Sequence, residues 1–373
     1  MPEKTQRKTS RKIRVGILFG GKSAEHEVSL QSAKNIVEAI DKDKYELALI
    51  GIDKKGRWSL FDDSAYLLNA DDPKNISLGT ASRDVALIPG SGEGTLTDIS
   101  KSGSAGPVDV IFPALHGPFG EDGTVQGLLK LADIPFVGAS VLGSSVGMDK
   151  DVMKRLLRDA RIPIGRFLVF HRGNRRKLTF SDMAAQLGRP FFVKPANYGS
   201  SVGVSMVRDE SEFEKAVQEA FEFDHKAIFE EYIEGREIEC SVLGNDNPVA
   251  SVPGEVKPTY DFYSYEAKYL DENGALLQIP AELDEQATAR IQELAVKTFE
   301  VLCCEGLARV DFFLKGDGEV IVNELNTIPG FTRISMYPRL WEASGISYPE
   351  LIDRLIQLAF KRHEKDHRLK TDY

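Results

Sequence analysis

The chain has 373 residues, with 47 Lys and Arg against 57 Asp and Glu, and a net charge of −10. Its 42% hydrophobic and 28% charged residues fit a globular chain of two or three domains and exclude collagen-like, coiled-coil and disordered classes. No apolar run approaches the ~20 residues of a membrane-spanning helix, and a pI near 5.3 argues against broad nucleic-acid binding.

The first 14 residues carry six Lys or Arg and read as a basic flexible tail. The apolar run Val15–Phe19 ends at once in Gly20-Gly21, too short for the core of a signal peptide. Cys240, Cys303 and Cys304 form no CxxC pair, so they suggest neither a disulfide framework nor a zinc site and suit a reducing cytoplasm.

Residues 13–19 predict a strand. The spacing of Val28, Ala33, Ile36, Val37 and Ile40 predicts a helix over 27–40, and 46–52 a second strand. Residues 55–105 are polar and rich in Gly and Ser, and suggest a surface excursion. A buried strand is expected at 108–115, then the loop HGPFGEDG and a helix near 123–132. This alternation implies parallel βαβ units, whose ligands sit beyond the carboxyl ends of the strands. The loops 20–27 and 116–123 occupy such ends.

A helix over 149–160 opens a second unit. It continues through FFVKP (191–195), a Gly/Ser loop (199–203), a strand (203–207), a helix (211–221) and AIFEEY (227–232). After 237 come strands, a Tyr-rich segment (259–271), a long helix (284–303), a hairpin and two helices. Three units result, with boundaries near 147 and 237.

Gly16 to Ser23 satisfies the phosphate-loop pattern GxxxxGKS to the letter. That pattern needs a strand before its first Gly and a loop after it. Here the strand lies inside the pattern, so its amides should pair in a sheet and Lys22 should sit at a surface or site edge.

Residues 307–326 read LARVDFFLKGDGEVIVNELN. A two-residue turn at Asp317-Gly318 would place Asp311 opposite Glu324 and Arg309 opposite Asn326, all on one face. Val310, Phe312, Leu314, Ile321 and Leu325 would take the other. Two carboxylates and an amide oxygen suit a hard cation such as Mg²⁺. The turn Thr327–Gly330 halts the strand beside them, and Gly330 can offer a backbone N–H. Lys194 ends the strand FFVK beside the loop NYGSSVG, a phosphate-binding combination that needs no Walker motif. Lys150 opens the preceding helix. Glu230 and Glu231 end the next strand, where acids can accept from an adenine amino group or a ribose.

Taken in order, GGKSAEHEVS (20–29), HGPFGEDGTVQG (116–127), MDK (148–150), VKPANYGSSVGV (193–204), YSYEAKY (263–269), ARVDFF (308–313) and NELNTIPGFT (323–332) resemble the ATP-grasp enzymes, and among them the D-alanine–D-alanine ligases of A type. The resemblance spans about residues 13–363. It implies an α/β fold of three domains. A parallel N-terminal βαβ domain (15–147) would precede two α+β ATP-grasp subdomains (148–237 and 238–373) that clamp ATP, with 259–271 as a mobile loop. It also implies ATP-dependent joining of two D-alanines through an acyl phosphate for peptidoglycan precursors, in a cytoplasmic homodimer.

The implied roles follow the motifs. Glu25, with His116 nearby, holds the first D-alanine, and Glu25, Ser200 and Tyr269 form a hydrogen-bonded set beneath it. Lys150, Lys194, Lys268, Ser200 and Ser201 meet the phosphates, and Glu230, Glu231, Ile233 and Glu237 frame the adenosine. Asp311, Glu324 and Asn326 hold two Mg²⁺ ions, with Mn²⁺ as a substitute. Arg309 and the Gly330 N–H stabilise an oxyanion, and Ser335 and Met336 hold the second carboxylate. Glu231 departs from relatives that carry Lys there. The intact Lys268-Tyr269 favours an amine acceptor over D-lactate, the depsipeptide alternative.

Overall fold

The structure is a computed structural model that describes residues 11–62, 65–90, 94–101, 103–173, 178–258 and 275–370. Three sheets carry the site. In the first, strand Ile13–Gly20 lies between Tyr45–Ile52 and Val110–Ala114 and is parallel to both. Helix His26–Ala39 makes the crossover, with Val28, Ala33, Ile36 and Val37 buried against the sheet. The expected βαβ unit is therefore present.

The sheet is mixed, however. The stretch 55–105 extends it antiparallel through strands Trp58–Phe61, Arg83–Leu87, Thr95–Asp98 and Gly103–Pro107. These strands have only four or five residues, and the last two have a single apolar position each apart from Pro107, so periodicity does not reveal them. Gly16 pairs with Ala48 and Ile111 in the middle of the first strand, which removes its N–H from any phosphate loop.

The second unit is a four-stranded antiparallel sheet, ordered Phe167–His171, Lys226–Glu231, Phe191–Pro195 and Ser205–Val207. Helices Phe180–Leu187 and Glu210–Phe223 cover its apolar face around Phe191, Phe213 and Phe229. The third is a larger antiparallel sheet in which Arg236–Gly244 pairs with Gly306–Leu314, and that strand with Val320–Asn326. Helix Glu285–Val301 packs beneath it through Ile291, Leu294 and Phe299.

The last helix, Tyr348–Asp366, does not stay with the third unit. Leu351, Ile352, Leu355, Ile356 and Ala359 join the core of Val15, Ile17, Phe19 and Leu30. Each such Leu or Ile side chain contributes about 1.5–3 kcal/mol on burial. The C-terminal helix thereby fastens the first and third units together.

The hairpin differs from its expected form in two places that offset each other. Lys315 N bonds to Glu319 O, and Gly318 (φ 86°) closes a three-residue loop, Gly316–Gly318. That turn shifts the register by one. A bulge opposite Asp311/Phe312 shifts it back, so Asp311 still faces Glu324 and Arg309 still faces Asn326. Between loop and bulge the faces are exchanged: Val320 and Val322 enter the core, while Ile321 pairs with Phe313 outside that cluster.

Candidate active site

The second and third units enclose a cavity of about 540 Å³, a size suited to a nucleotide. Lys150, Lys194, Ser200, Ser201, Glu230, Glu231, Ile233, Glu237 and Glu324 all line it. Phe192, Val204, Met206, Phe313 and Val322 supply apolar walls. Asp149 caps helix Lys150–Asp159, accepting from the amides of Asp151 and Val152, and so fixes where Lys150 emerges. Lys150 Nζ donates to Tyr198 O (2.7 Å) in the Gly/Ser loop and lies 3.4 Å from Glu324 Oε2.

The floor of the cavity is a buried charge cluster. Lys194 contacts Glu230 directly, and Lys154 Nζ lies 2.7 Å from Glu230 Oε1. Burial alone would raise the Glu230 carboxyl, but the two ammoniums hold it well below the usual range. Burial drives Lys154 downward, whereas Lys194 is held up against burial by Glu230 and Glu324. Lys154 escaped the sequence reading, although it lies one helical turn after Lys150. Glu231 turns its carboxylate away, accepting from Arg166 N and Nε at 2.6 Å, so its backbone is what remains toward a nucleotide.

Around Glu25 the loops crowd together. Glu25 occupies the N-cap position of helix His26–Ala39 without a side-chain capping bond, at the positive end of the helix dipole, which favours a carboxylate. It is buried and accepts from Ser200 Oγ across 175 residues of chain. A Cβ on Gly117 would lie 2.5 Å from Glu25 Oε2, which shows how closely the second loop approaches. Tyr269 and Lys268, expected to complete this set and the phosphate site, lie outside the described residues.

His116 has both ring nitrogens engaged. Nδ1 must donate to the Ile328 carbonyl (3.0 Å), so Nε2 accepts from Ser32 Oγ (2.9 Å). Burial lowers its pKa to about 4, which agrees with a neutral ring. It ties the second loop to the Thr327–Gly330 turn. Glu121, which the sequence reading left without a role inside HGPFGEDG, does the same. It accepts from Gly117 N (2.7 Å) and Ile328 N (3.1 Å). Burial and then the nearby Glu25 raise its pKa to about 8.

On the hairpin, Arg309 grips Asp311 through two bonds of 2.7 Å and lies 2.9 Å from Glu239. Asn326 Nδ2 donates to Asp311 Oδ2 (3.0 Å), so its oxygen is the atom it could offer a cation. Arg309 and Lys150 offset part of the charge of Asp311 and Glu324, which face each other across the hairpin. With the Asn326 oxygen these carboxylates make an all-oxygen donor set, the kind that could hold Mg²⁺. A Cβ on Gly330 would meet Ser335 Oγ at 2.9 Å, and that oxygen accepts from Thr332 N (3.0 Å). Met336 is packed against Val256 and Leu340, so what it offers a ligand is its N–H at the start of helix Met336–Ala343.

Residues 14–139 match the family model described as D-ala D-ala ligase N-terminus, and residues 156–357 match that of the D-ala D-ala ligase C-terminus. The chain belongs to the D-alanine–D-alanine ligase family. Among the relatives of this ligase chain, the D-alanine–D-alanine ligase of Oceanobacillus iheyensis is 56% identical over 360 residues, covering 96% of this chain and 98% of the relative. D-alanine–D-alanine ligase A of Escherichia coli K12 is also 56% identical over 360 residues, covering 96% and 99%. The solved D-alanine–D-alanine ligase of Coxiella burnetii aligns with a TM-score of 0.82 at 38% identity, covering 96% and 97%. A D-Ala:D-Ser ligase from Enterococcus faecalis follows at 0.81 and 36%, covering 94% and 100%. The ligase fold thus accommodates more than one acceptor.

Proposed function

We propose that this chain joins two molecules of D-alanine, converting ATP to ADP and phosphate. The observation that carries the reading is the meeting of Glu25 with Ser200 of the Gly/Ser loop, at the edge of the lysine-lined cavity. An amino acid whose ammonium rests on Glu25 would point its carboxylate toward the groups that meet the phosphates. That carboxylate is a poor electrophile. Attack of its oxygen on the γ-phosphorus releases ADP and yields an acyl phosphate. The amine of the second D-alanine, once deprotonated, attacks the carbonyl carbon, and the C–O bond to phosphate breaks.

Two anions must approach for the first step. Lys150 and Lys194, with Lys268, offset their repulsion. Asp311, Glu324 and Asn326 would hold Mg²⁺, which when bound supplies positive charge beside the phosphate oxygens. Arg309 and the Gly330 N–H are assigned to the oxyanion that forms on amine attack. Ser335 and the Met336 N–H are assigned to the carboxylate of the second D-alanine. The segment 259–271, expected to shield the acyl phosphate from water, lies outside the described residues.

Among the described residues no helix is long and apolar enough to cross a membrane. A cytoplasmic homodimer with the three-domain division above completes the reading; sedimentation of the full chain tests the dimer. The chemistry is tested with D-alanine labelled with ¹⁸O in its carboxylate. An acyl phosphate transfers one label to inorganic phosphate at each turnover. Unlabelled phosphate formed alongside dipeptide would refute the intermediate.

A further inference from the structure

The C-terminal helix carries a group of side chains that the ligase reaction does not use. His363 and His367 are one turn apart, with ring centroids 4.2 Å from each other. Both aim Nε2 at the same carboxylate, from the turn after helix Thr124–Leu131. His363 Nε2 lies 3.1 Å and His367 Nε2 3.0 Å from Asp133 Oδ1.

Three features make this more than a surface ion pair. The ligand atoms of all three residues lie within 4.8 Å of one another. His367 Nδ1 donates to the His363 carbonyl (2.8 Å), which orients the ring and makes Nε2 the atom presented to Asp133. A proton or a metal ion between ring and carboxylate satisfies both groups, and an ion would take the proton's place. The frame is also rigid. Arg362, next to His363, is buried, bonds to the carbonyls of Gly138 and Phe136, and lies 4.3 Å over the Phe136 ring. The helix is thus clamped to the segment that presents Asp133 before any ligand arrives.

We propose that Asp133, His363 and His367 form a binding site for a divalent transition ion of the zinc class, which staples the C-terminal helix to the first unit. Two imidazoles and one carboxylate suit Zn²⁺ rather than Mg²⁺. Bonds of about 2.0–2.1 Å in a tetrahedron give ligand separations of about 3.3 Å. The N–O separations of 3.0 and 3.1 Å fall within a few tenths of an ångström of that value. A neighbouring cavity of about 300 Å³ leaves the fourth position to water.

The test is calorimetric titration of the full chain with ZnCl₂, without nucleotide and in excess Mg²⁺ to occupy the hairpin carboxylates. The expected result is one Zn²⁺ per chain at this site. Affinity should fall at least about 100-fold in His363→Gln and His367→Gln but stay unchanged in Glu324→Gln. Asp133→Asn, which preserves volume, should weaken binding as well. Zn²⁺ should raise the thermal midpoint of the parent and not of the histidine variants, whose ligase turnover without zinc should equal the parent's. Absence of Zn²⁺ uptake, uptake that survives both histidine substitutions, or uptake lost in Glu324→Gln would each overturn the proposal.

Discussion

Substitution of Gly117 by Ala probes the approach of the second loop to Glu25. Gly117 has φ +74°, a conformation that costs an L-residue about 1–2 kcal/mol. The added Cβ would also lie 2.5 Å from Glu25 Oε2 and 2.9 Å from Ser23 Oγ. The carboxylate is the far end of a flexible side chain, so it can yield with little loss of stability. To reach an ordinary contact of 3.4 Å it must move by about 0.9 Å. A misplacement of that size at a substrate-positioning group lowers turnover by about 100-fold. We therefore expect kcat/KM for D-alanine to fall by about that factor, with nucleotide affinity within about twofold of the parent. Phosphate release against D-alanine concentration and a nucleotide titration measure the two quantities. Gly345→Ala is the control, because Gly345 has φ +89° with nothing within 4 Å of its added Cβ. It incurs the backbone strain without the displacement and should leave KM for D-alanine unchanged. A Gly117→Ala enzyme with parental kcat/KM, or a Gly345→Ala enzyme with the same defect, would refute the reasoning.

Glu324→Gln should reduce turnover by at least about 100-fold, partly restored at high Mg²⁺; parental turnover at ordinary Mg²⁺ would remove Glu324 from the metal site. Glu121 makes folding stability depend on pH. Its pKa is raised from 4.5 to about 8, so between those values the folded chain binds more protons than the unfolded one. Its contribution is fully present below pH 4.5 and is lost as pH rises through about 8. Urea unfolding of Glu121→Gln should decline less steeply with pH over that window than unfolding of the parent, and parallel curves would contradict the assignment. Cys240 and Cys304 are buried, and burial pushes the Cys240 thiol up to about 12, while Cys303 is exposed. Iodoacetamide on the native enzyme should alkylate Cys303 alone, as read by peptide mass; early modification of Cys240 would show that the third core opens.

Much of this site was legible because its chemistry is local. A lysine at a strand end beside a Gly/Ser loop, and acids alternating along a hairpin, keep their relation in any fold that preserves strand geometry. The hairpin shows the limit of that argument. A turn one residue longer than expected and a compensating bulge leave Asp311 opposite Glu324. The residues between them, Ile321 above all, change face. Lys154 and Glu121 were not legible. Their roles depend on what other units bring to them: Glu230 in one case, the amides of Gly117 and Ile328 in the other. The antiparallel extension of the first sheet was hidden because its strands are too short to show a period. The docking of Tyr348–Asp366 onto that sheet is a contact between chain ends that no periodicity encodes.

The central claim is that this chain ligates D-alanine to D-alanine. The direct measurement is ATP-dependent phosphate release with D-alanine and an equimolar mixture of D-lactate and D-serine, with products identified by mass. The expected result is release that requires D-alanine, with D-alanyl-D-alanine as the dominant product. A depsipeptide or a D-alanyl-D-serine product in excess, or phosphate release without D-alanine, would contradict it.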